Sequence, residues 1–381
     1  MKIVGNSQYQ KSANGLLILN LLRRYPCSRV QIAHELGLQN STVSYSVARL
    51  LENGTVREME MERQSKSEIP KVGRKPNLVE LNADFGRVIG IEMMSGLFRV
   101  CICDILGMVK SKKEYIYSQK EVPFEVHVKE SVQVSQELCG RDQTILGVCI
   151  AVPGIVLEGN TFIEECWTHG LKNVEYKEFL DSFPFPVIFE NDANCCAVKY
   201  LFNSDDPKDS FFYLLTRKHD SEKVPKNIPT IGIGLGLVVN GKLIRGSSSR
   251  SGEYRSSHLM GTEAKGQVDF DEQTLSHLET DSAIQRALSK TIFSDLFCTI
   301  SIFDPSMFYV GGFLTSLPYR TSVCEVLEHD LNDFWLENGW EGEMVLVHDT
   351  HFDPSEGAAD NVLDLLYKVP HVGKSEPDQG R

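Results

Sequence analysis

"VIGIEMMSGLFRV", residues 88–100, runs as an apolar strand into Glu92, turns through Met93, Met94, Ser95 and Gly96, and resumes as a second strand. Strand, acidic residue, tight turn and strand is how several nucleotide-binding α/β domains begin, because backbone N–H groups in such a turn can face phosphate oxygens. A turn that grips phosphate normally carries an aspartate and adjacent glycines, which let the backbone approach the ligand. Here a glutamate, two methionines and one glycine hold those positions. The hairpin is expected to keep the shape of a phosphate loop without its grip.

Downstream, strands and helices alternate. "ILGVCIAVPGIV" (145–156) reads as a buried strand leading to a Pro153-Gly154 turn, and "PVIFENDANCCAVKYLF" (186–202) as a strand that ends at Asn191-Asp192 and opens a helix. "PTIGIGLGLVVNGKLIRG" (229–246) is a glycine-rich strand with Asn240-Gly241, a two-residue hairpin signal. "FDPSMFYVGGFL" (303–314) is a late strand ending at Gly311-Gly312. "RKHDSEKVPKNIP" (217–229) reads as a charged surface loop, and residues 369–381 as a disordered tail.

Upstream, "LLILNLLRR" (16–24) reads as a helix that closes before Pro26. In the stretch that follows, Ile32, Ala33 and Leu36 make a short apolar helix face, and Gly37-Leu38-Gln39 breaks it. Val43, Val47, Leu50 and Leu51 share the buried face of a second helix, which ends at Asn53-Gly54. Two helices joined by a short glycine turn are the helix-turn-helix pattern. Asn40, Ser41, Thr42, Ser44, Tyr45 and Arg49 then face outward, where a recognition helix meets the major groove. "TVREMEMERQ" and "PNLVELN" read as two strands of a wing, and "VGRKP" between them offers Arg74 and Lys75 to a minor groove. Residues 1–81 hold 12 Lys and Arg against 7 Asp and Glu, a net +5, which leaves −18 on the rest of a chain whose total is −13. The basic end is therefore the part suited to a polyanion.

The 381 residues suffice for two or three domains, and 41% apolar with 24% charged residues is ordinary for globular protein. No apolar run is long enough to span a membrane, and the start "MKIVGNSQYQKSANG" has no secretory h-region, so a cytoplasmic location and no membrane partner are expected. The ten scattered cysteines, without a CxxC pair, are expected as buried reduced thiols.

Winged helix, "GRKPNLVELNADFGRVIGIE", "VPG", "ENDAN", "GIGLGLVVNGKLIRG", "SGE" and "DPSMFYVGG" follow one another in an order that resembles the ROK family of repressors and sugar kinases. The resemblance implies an α/β chain: a winged helix-turn-helix (1–81), then a two-lobed actin-like (ribonuclease H-like) ATPase-fold body with lobes at 82–190 and 191–368 and a sugar site in the cleft. It further implies that Asp192 stands where the kinases keep their base, with Asn191 beside it and Glu253 as a second sugar-binding carboxylate; Gly154 leaves room for ligand. Asn191 or Asp192 could equally be a helix N-cap. Arg255 and His258 stand where the family carries histidine, and Arg255 either meets an anionic ligand or neutralises Glu253. Trp167 either lines the cleft or packs in the core.

Two departures matter. The Asp-x-Gly-Gly-Thr turn of the kinases is here Glu92–Gly96, where methionine side chains block phosphate and a glutamate repels it. The family's zinc cysteines have no counterpart between Gly252 and Cys298, so no metal is expected. The expected protein is a sugar-responsive DNA-binding regulator, a repressor without enzymatic activity or cofactor. Its partners would be operator DNA and a sugar or sugar derivative, and it would act as a homodimer that can pair into a tetramer. The competing readings are a sugar kinase with a fused DNA-binding module, and a DNA-binding protein whose body is a ligand-free dimerisation scaffold.

Overall fold

The computed structural model describes residues 7–59, 77–119, 122–157, 159–204, 209–219, 230–261, 266–316, 318–331 and 339–369. The chain divides into two compact units, one of Met1–Arg87, Asp104–Met108 and Leu363–Arg381, the other of Val88–Cys103 and Val109–Val362.

In the first unit the elements run α1 (Ser7–Arg24), β1 (Cys27–Ser28), α2 (Arg29–Glu35), α3 (Asn40–Glu52), β2 (Val56–Glu58) and β3 (Leu78–Leu81), with the strands antiparallel in the order β1-β3-β2. α1 starts earlier than its leucine-rich part, since the polar residues before Gly15 continue the helix. A capping box opens α2: Ser28 Oγ accepts from Gln31 N at 3.2 Å, and Ser28 N donates to Gln31 Oε1 at 2.8 Å. α3 buries Val43, Val47 and Leu50 together with Ser46, and the chain leaves it through Gly54 at φ +78°. Asn20 Nδ2 of α1 donates to Tyr367 O at 2.7 Å, and Tyr367 OH donates to Ile105 O at 2.5 Å. The tip of the expected wing, with Arg74 and Lys75, lies outside the described residues, as does the expected disordered tail from residue 370.

The second unit begins with β4 (Arg87–Met94), β5 (Leu97–Asp104), β6 (Val109–Ile116), α4 (Phe124–Cys139) and β7 (Ile145–Val152). A small antiparallel sheet of β8 (Ile155–Val156), β9 (Phe162–Cys166) and β10 (Leu171–Glu175) follows, then α5 (Lys177–Leu180) and β11 (Val187–Asn191). The order β11-β7-β4-β5-β6 makes the first five-stranded sheet, and Phe124, Val128 and Val132 of α4 join its core. After α6 (Asp192–Phe202) come β12 (Phe211–Lys218), β13 (Ile231–Val239), β14 (Lys242–Leu243), α7 (Glu272–Ser276), α8 (Ser282–Phe303), β15 (Met307–Gly312), α9 (Tyr319–Glu325), β16 (Glu343–Leu346) and α10 (Asp353–Tyr367). Their strands make the second sheet, β14-β13-β12-β15-β16, with β12 antiparallel to β13 and parallel to β15.

Two glycines show why such elements can close on each other. A Cβ at Gly90 would stand 1.9 Å from Ser355 O and 2.4 Å from Ala359 N, so α10 lies directly on β4. A Cβ at Gly236 would meet Ala193 O and Ala197 Cβ, both at 2.4 Å, so α6 lies directly on β13. One sequence expectation fails here: residues 217 and 218 are not surface loop but the end of β12. The continuous apolar run Phe211–Leu215, buried throughout, carries the strand two residues further than the charges suggest.

Candidate ligand cleft

A cavity of about 910 Å³ opens in the second unit, walled by the turn at Gly154, the small sheet and Trp167, the β11–α6 junction, β12, β13 and the segment around Glu253. Its floor follows from the way a strand hands over to a helix. Asn191 caps α6, its Oδ1 accepting from Asn194 N at 2.9 Å, while its Nδ2 donates to Gly154 O at 3.0 Å. The capping reading and the cleft reading of Asn191 therefore both hold: it lines the cavity with an amide already bonded to protein. Asp192, in the first turn, is 6% exposed. Gly154 lines the cavity, and a Cβ there would stand 2.2 Å from Glu165 O on β9, so the neighbouring strand also requires glycine.

Arg217 dominates the floor, and sequence reading missed it. Its Nε donates to Asp192 Oδ2 at 2.7 Å and its Nη2 pairs with Glu92 Oε1 at 2.5 Å. Glu92 has no exposed surface, and its other oxygen, Oε2, takes Arg99 Nη1 at 3.2 Å; Arg99 Nε in turn meets Glu114 at 2.8 Å. Two carboxylates and two guanidiniums thus balance each other in the interior, the condition for burying charge at tolerable cost. Met94 Sδ lies 3.5 Å from Arg99 Nη1 and 3.8 Å from Arg217 Nη1, whereas Met93 is fully buried in the core of the first sheet. The expectation that both methionines block the turn and that Glu92 repels phosphate is corrected: Met93 points away into the core, and Glu92 is already answered by two arginines.

The opposite wall is set by Gly252, whose φ is +89° and whose Cβ would come within 1.9 Å of Leu235 O. That approach aims Glu253 into the cavity. Solvent reaches Glu253 through the open cleft, yet surrounding protein pushes its pKa up to about 7, with Asp192 adding to the rise and Arg250 opposing it. Asp295 of α8 ties down the next residues, accepting from Tyr254 OH at 2.9 Å and from Ser257 Oγ. Gln267 Nε2 bonds Tyr254 O at 2.8 Å and Ile233 O at 2.6 Å. Arg255 lines the cavity; His258 does not, and its backbone N–H bonds Ser256 Oγ at 3.3 Å on an exposed turn. Trp167 is 48% exposed on the cavity wall. His169 is half-buried, and its desolvation lowers its pKa to about 4, as it does for His219 beside Arg217.

In the first unit, Asn40, Ser41, Ser44, Tyr45 and Arg49 are exposed along α3 and Thr42 is half-buried. Lys11 Nζ sits 5.5 Å over the Tyr45 ring. No helix of the described residues is long and apolar enough to cross a membrane.

The ROK family pattern matches residues 88–259. A xylose repressor of Bacillus spizizenii is 25% identical over 257 residues, covering 66% of this chain and 62% of that protein, so the match spans less than two thirds of the repressor's length. A β-glucoside kinase of Listeria monocytogenes is 28% identical over 234 residues, 51% of this chain and 72% of the kinase. Among solved structures, a ROK family transcriptional regulator described as a homologue of the E. coli MLC protein superposes with a TM-score of 0.69 at 13% identity, covering 95% of this chain and 99% of its own. At that identity the likeness concerns the fold alone. Residues 88–259 thus match the ROK family pattern, and the chain shares the mixed α/β, actin-like fold of the solved ROK regulator.

Proposed function

We propose that the protein is a sugar-responsive, DNA-binding transcriptional repressor whose cleft binds sugar and transfers no phosphate. The observation that carries this reading is Arg217, held between Asp192 and Glu92. A carboxylate locked to a guanidinium is a poor general base, and a floor whose charges are already balanced offers neither a cation for phosphate nor a free carboxylate for magnesium. The xylose repressors that the chain resembles make D-xylose the first ligand to try. Trp167 supplies an aromatic wall, and Asp192, Glu253 and Arg255 supply polar atoms for ring hydroxyls.

Residues 1–81 serve in this reading as a winged helix-turn-helix module on a body with lobes at 82–190 and 191–368, followed by a tail at 369–381. Asn40, Ser41, Thr42, Ser44, Tyr45 and Arg49 on α3 enter the major groove, and Arg74 and Lys75 reach a minor groove. The cytoplasmic protein binds its operator as a homodimer, with recognition helices about one helical turn, ~34 Å, apart. A kinase reading has one observation in its favour, the identity to the β-glucoside kinase.

The test is a mobility-shift assay with full-length protein on DNA selected from a random pool, with and without D-xylose. Arg49→Ala should weaken binding by ~1–3 kcal/mol, roughly 5–150-fold, if Arg49 makes a bidentate contact. Full-length protein that selects no DNA would overturn the regulator, and D-xylose-dependent ATP consumption would establish the kinase.

A further inference from the structure

Buried contacts lead away from the cavity floor within the second unit. Asp192 holds Arg217 at 2.7 Å, Arg217 pairs with Glu92 at 2.5 Å, and Glu92 pairs with Arg99 at 3.2 Å. Arg99 Nη1, the same nitrogen, donates to His351 O at 3.0 Å. His351 belongs to a short 3₁₀ helix, Thr350–Phe352, that leads into α10. The second sheet and α6 grip the same place: Gly312 N bonds Thr350 Oγ1 at 2.9 Å, Tyr213 OH bonds Asp353 Oδ2 at 2.7 Å, and Lys199 Nζ bonds Asp353 Oδ1 at 2.5 Å. The entry to α10 is thus fixed by polar contacts, one of them reached from the cavity-lining Arg217 in three contacts.

We propose that Arg217 is the residue through which the cavity reports its contents: a hydroxyl-rich ligand that claims Asp192 changes Arg217's hold on Glu92, which changes Arg99's hold on the entry to α10. A guanidinium is a rigid planar fork that keeps its proton, so loss of one partner reorients all its donors together. Glu92 has no water to turn to, being fully buried, so what one arginine gives up the other takes. Only the nature of the trigger rests on reading the cleft as a sugar site; the coupling does not.

A ligand-free double-mutant cycle therefore tests it. Asp192→Asn removes the charge that holds Arg217, and Arg99→Gln cuts the link to His351. Hydrogen exchange of the α10 amides is measured in full-length wild type, both single variants and the double variant. Asp192→Asn should speed exchange in the first turns of α10 by about fivefold or more, the lower end of typical site-to-site coupling, but by less than about twofold in the Arg99→Gln background. Equal effects in both backgrounds, or an effect of Asp192→Asn confined to the cavity walls, would overturn the relay. Glu92→Gln replaces Arg99→Gln in the cycle if the latter does not fold, with the same non-additivity expected. Operator release by D-xylose, measured on the same wild-type preparation, reads the regulatory function separately: its failure with an intact cycle sinks the sugar trigger and leaves the relay standing.

Discussion

Arg217→Ala isolates the buried charge pairing at the floor of the cleft. The change leaves Glu92, with no exposed surface, to Arg99 at 3.2 Å, and leaves Asp192, 6% exposed, without a counter-charge at bonding distance among the contacts described. Removing one partner of a buried ion pair costs ~3–5 kcal/mol, because the remaining charge keeps its desolvation penalty. The second unit holds roughly 270 residues, and at about 2.1 cal/mol/K of unfolding entropy per residue that loss lowers its melting midpoint by ~5–9 °C. An orphaned carboxylate is relieved by taking up a proton, so the deficit should be smaller in melts at pH 5 than at pH 8. The double variant Arg217→Met with Asp192→Asn, which removes the guanidinium and the orphaned charge together, should recover a large part of the loss. Differential scanning calorimetry at both pH values, with circular dichroism to confirm native secondary structure, reads all of this. A loss below ~1 kcal/mol, or a deficit identical at pH 5 and pH 8, would refute the argument that Arg217 is held by buried charge.

Glu253 offers a pH test with a definite sign. Its folded pKa of about 7 lies above the ordinary 4.5, so between those values the native state holds a proton that the unfolded chain has released, and stability falls as pH rises through that window. Glu253→Gln should flatten that part of the stability profile, and any D-xylose affinity that inflects near pH 7 in the wild type should lose the inflection; unchanged profiles would mean that Glu253 does not titrate there. Gly90→Ala forces a Cβ within 1.9 Å of Ser355 O, backbone against backbone, so α10 must lift from β4. Loss of soluble expression, or a melt lowered by at least as much as in Arg217→Ala, is expected, and a wild-type melt would show that the helix has room to shift.

Much of the architecture was legible because it rests on local periodicity. The spacing of Val43, Val47 and Leu50 marks a helix face, and that face is buried; Asn240-Gly241 marks a hairpin, and both residues take positive φ. Gly236 of the glycine-rich strand admits α6. Less was legible in the cleft. Gly154 serves the neighbouring strand, and His258 stays off the cavity wall because the knot of Tyr254 and Ser257 on Asp295 turns the chain outward there.

Arg217 was hidden for a physical reason. It begins the run "RKHD", and a charged run is ordinarily a solvated surface, because an isolated buried charge is prohibitive. Whether such a charge is isolated depends on residues distant in sequence, and Glu92 lies 125 positions upstream. Each half of the pair looks like an error alone: a glutamate at the end of a buried strand, and an arginine at the end of another. The usable signal was their coincidence. Glu92 is an acid inside a buried strand, which needs a cation close by, and "FFYLLTRK" is a strand pattern that ends in one. A buried acid therefore predicts a compensating base in the same cleft, and the place to look is the cavity-facing end of a neighbouring strand, however charged its local sequence.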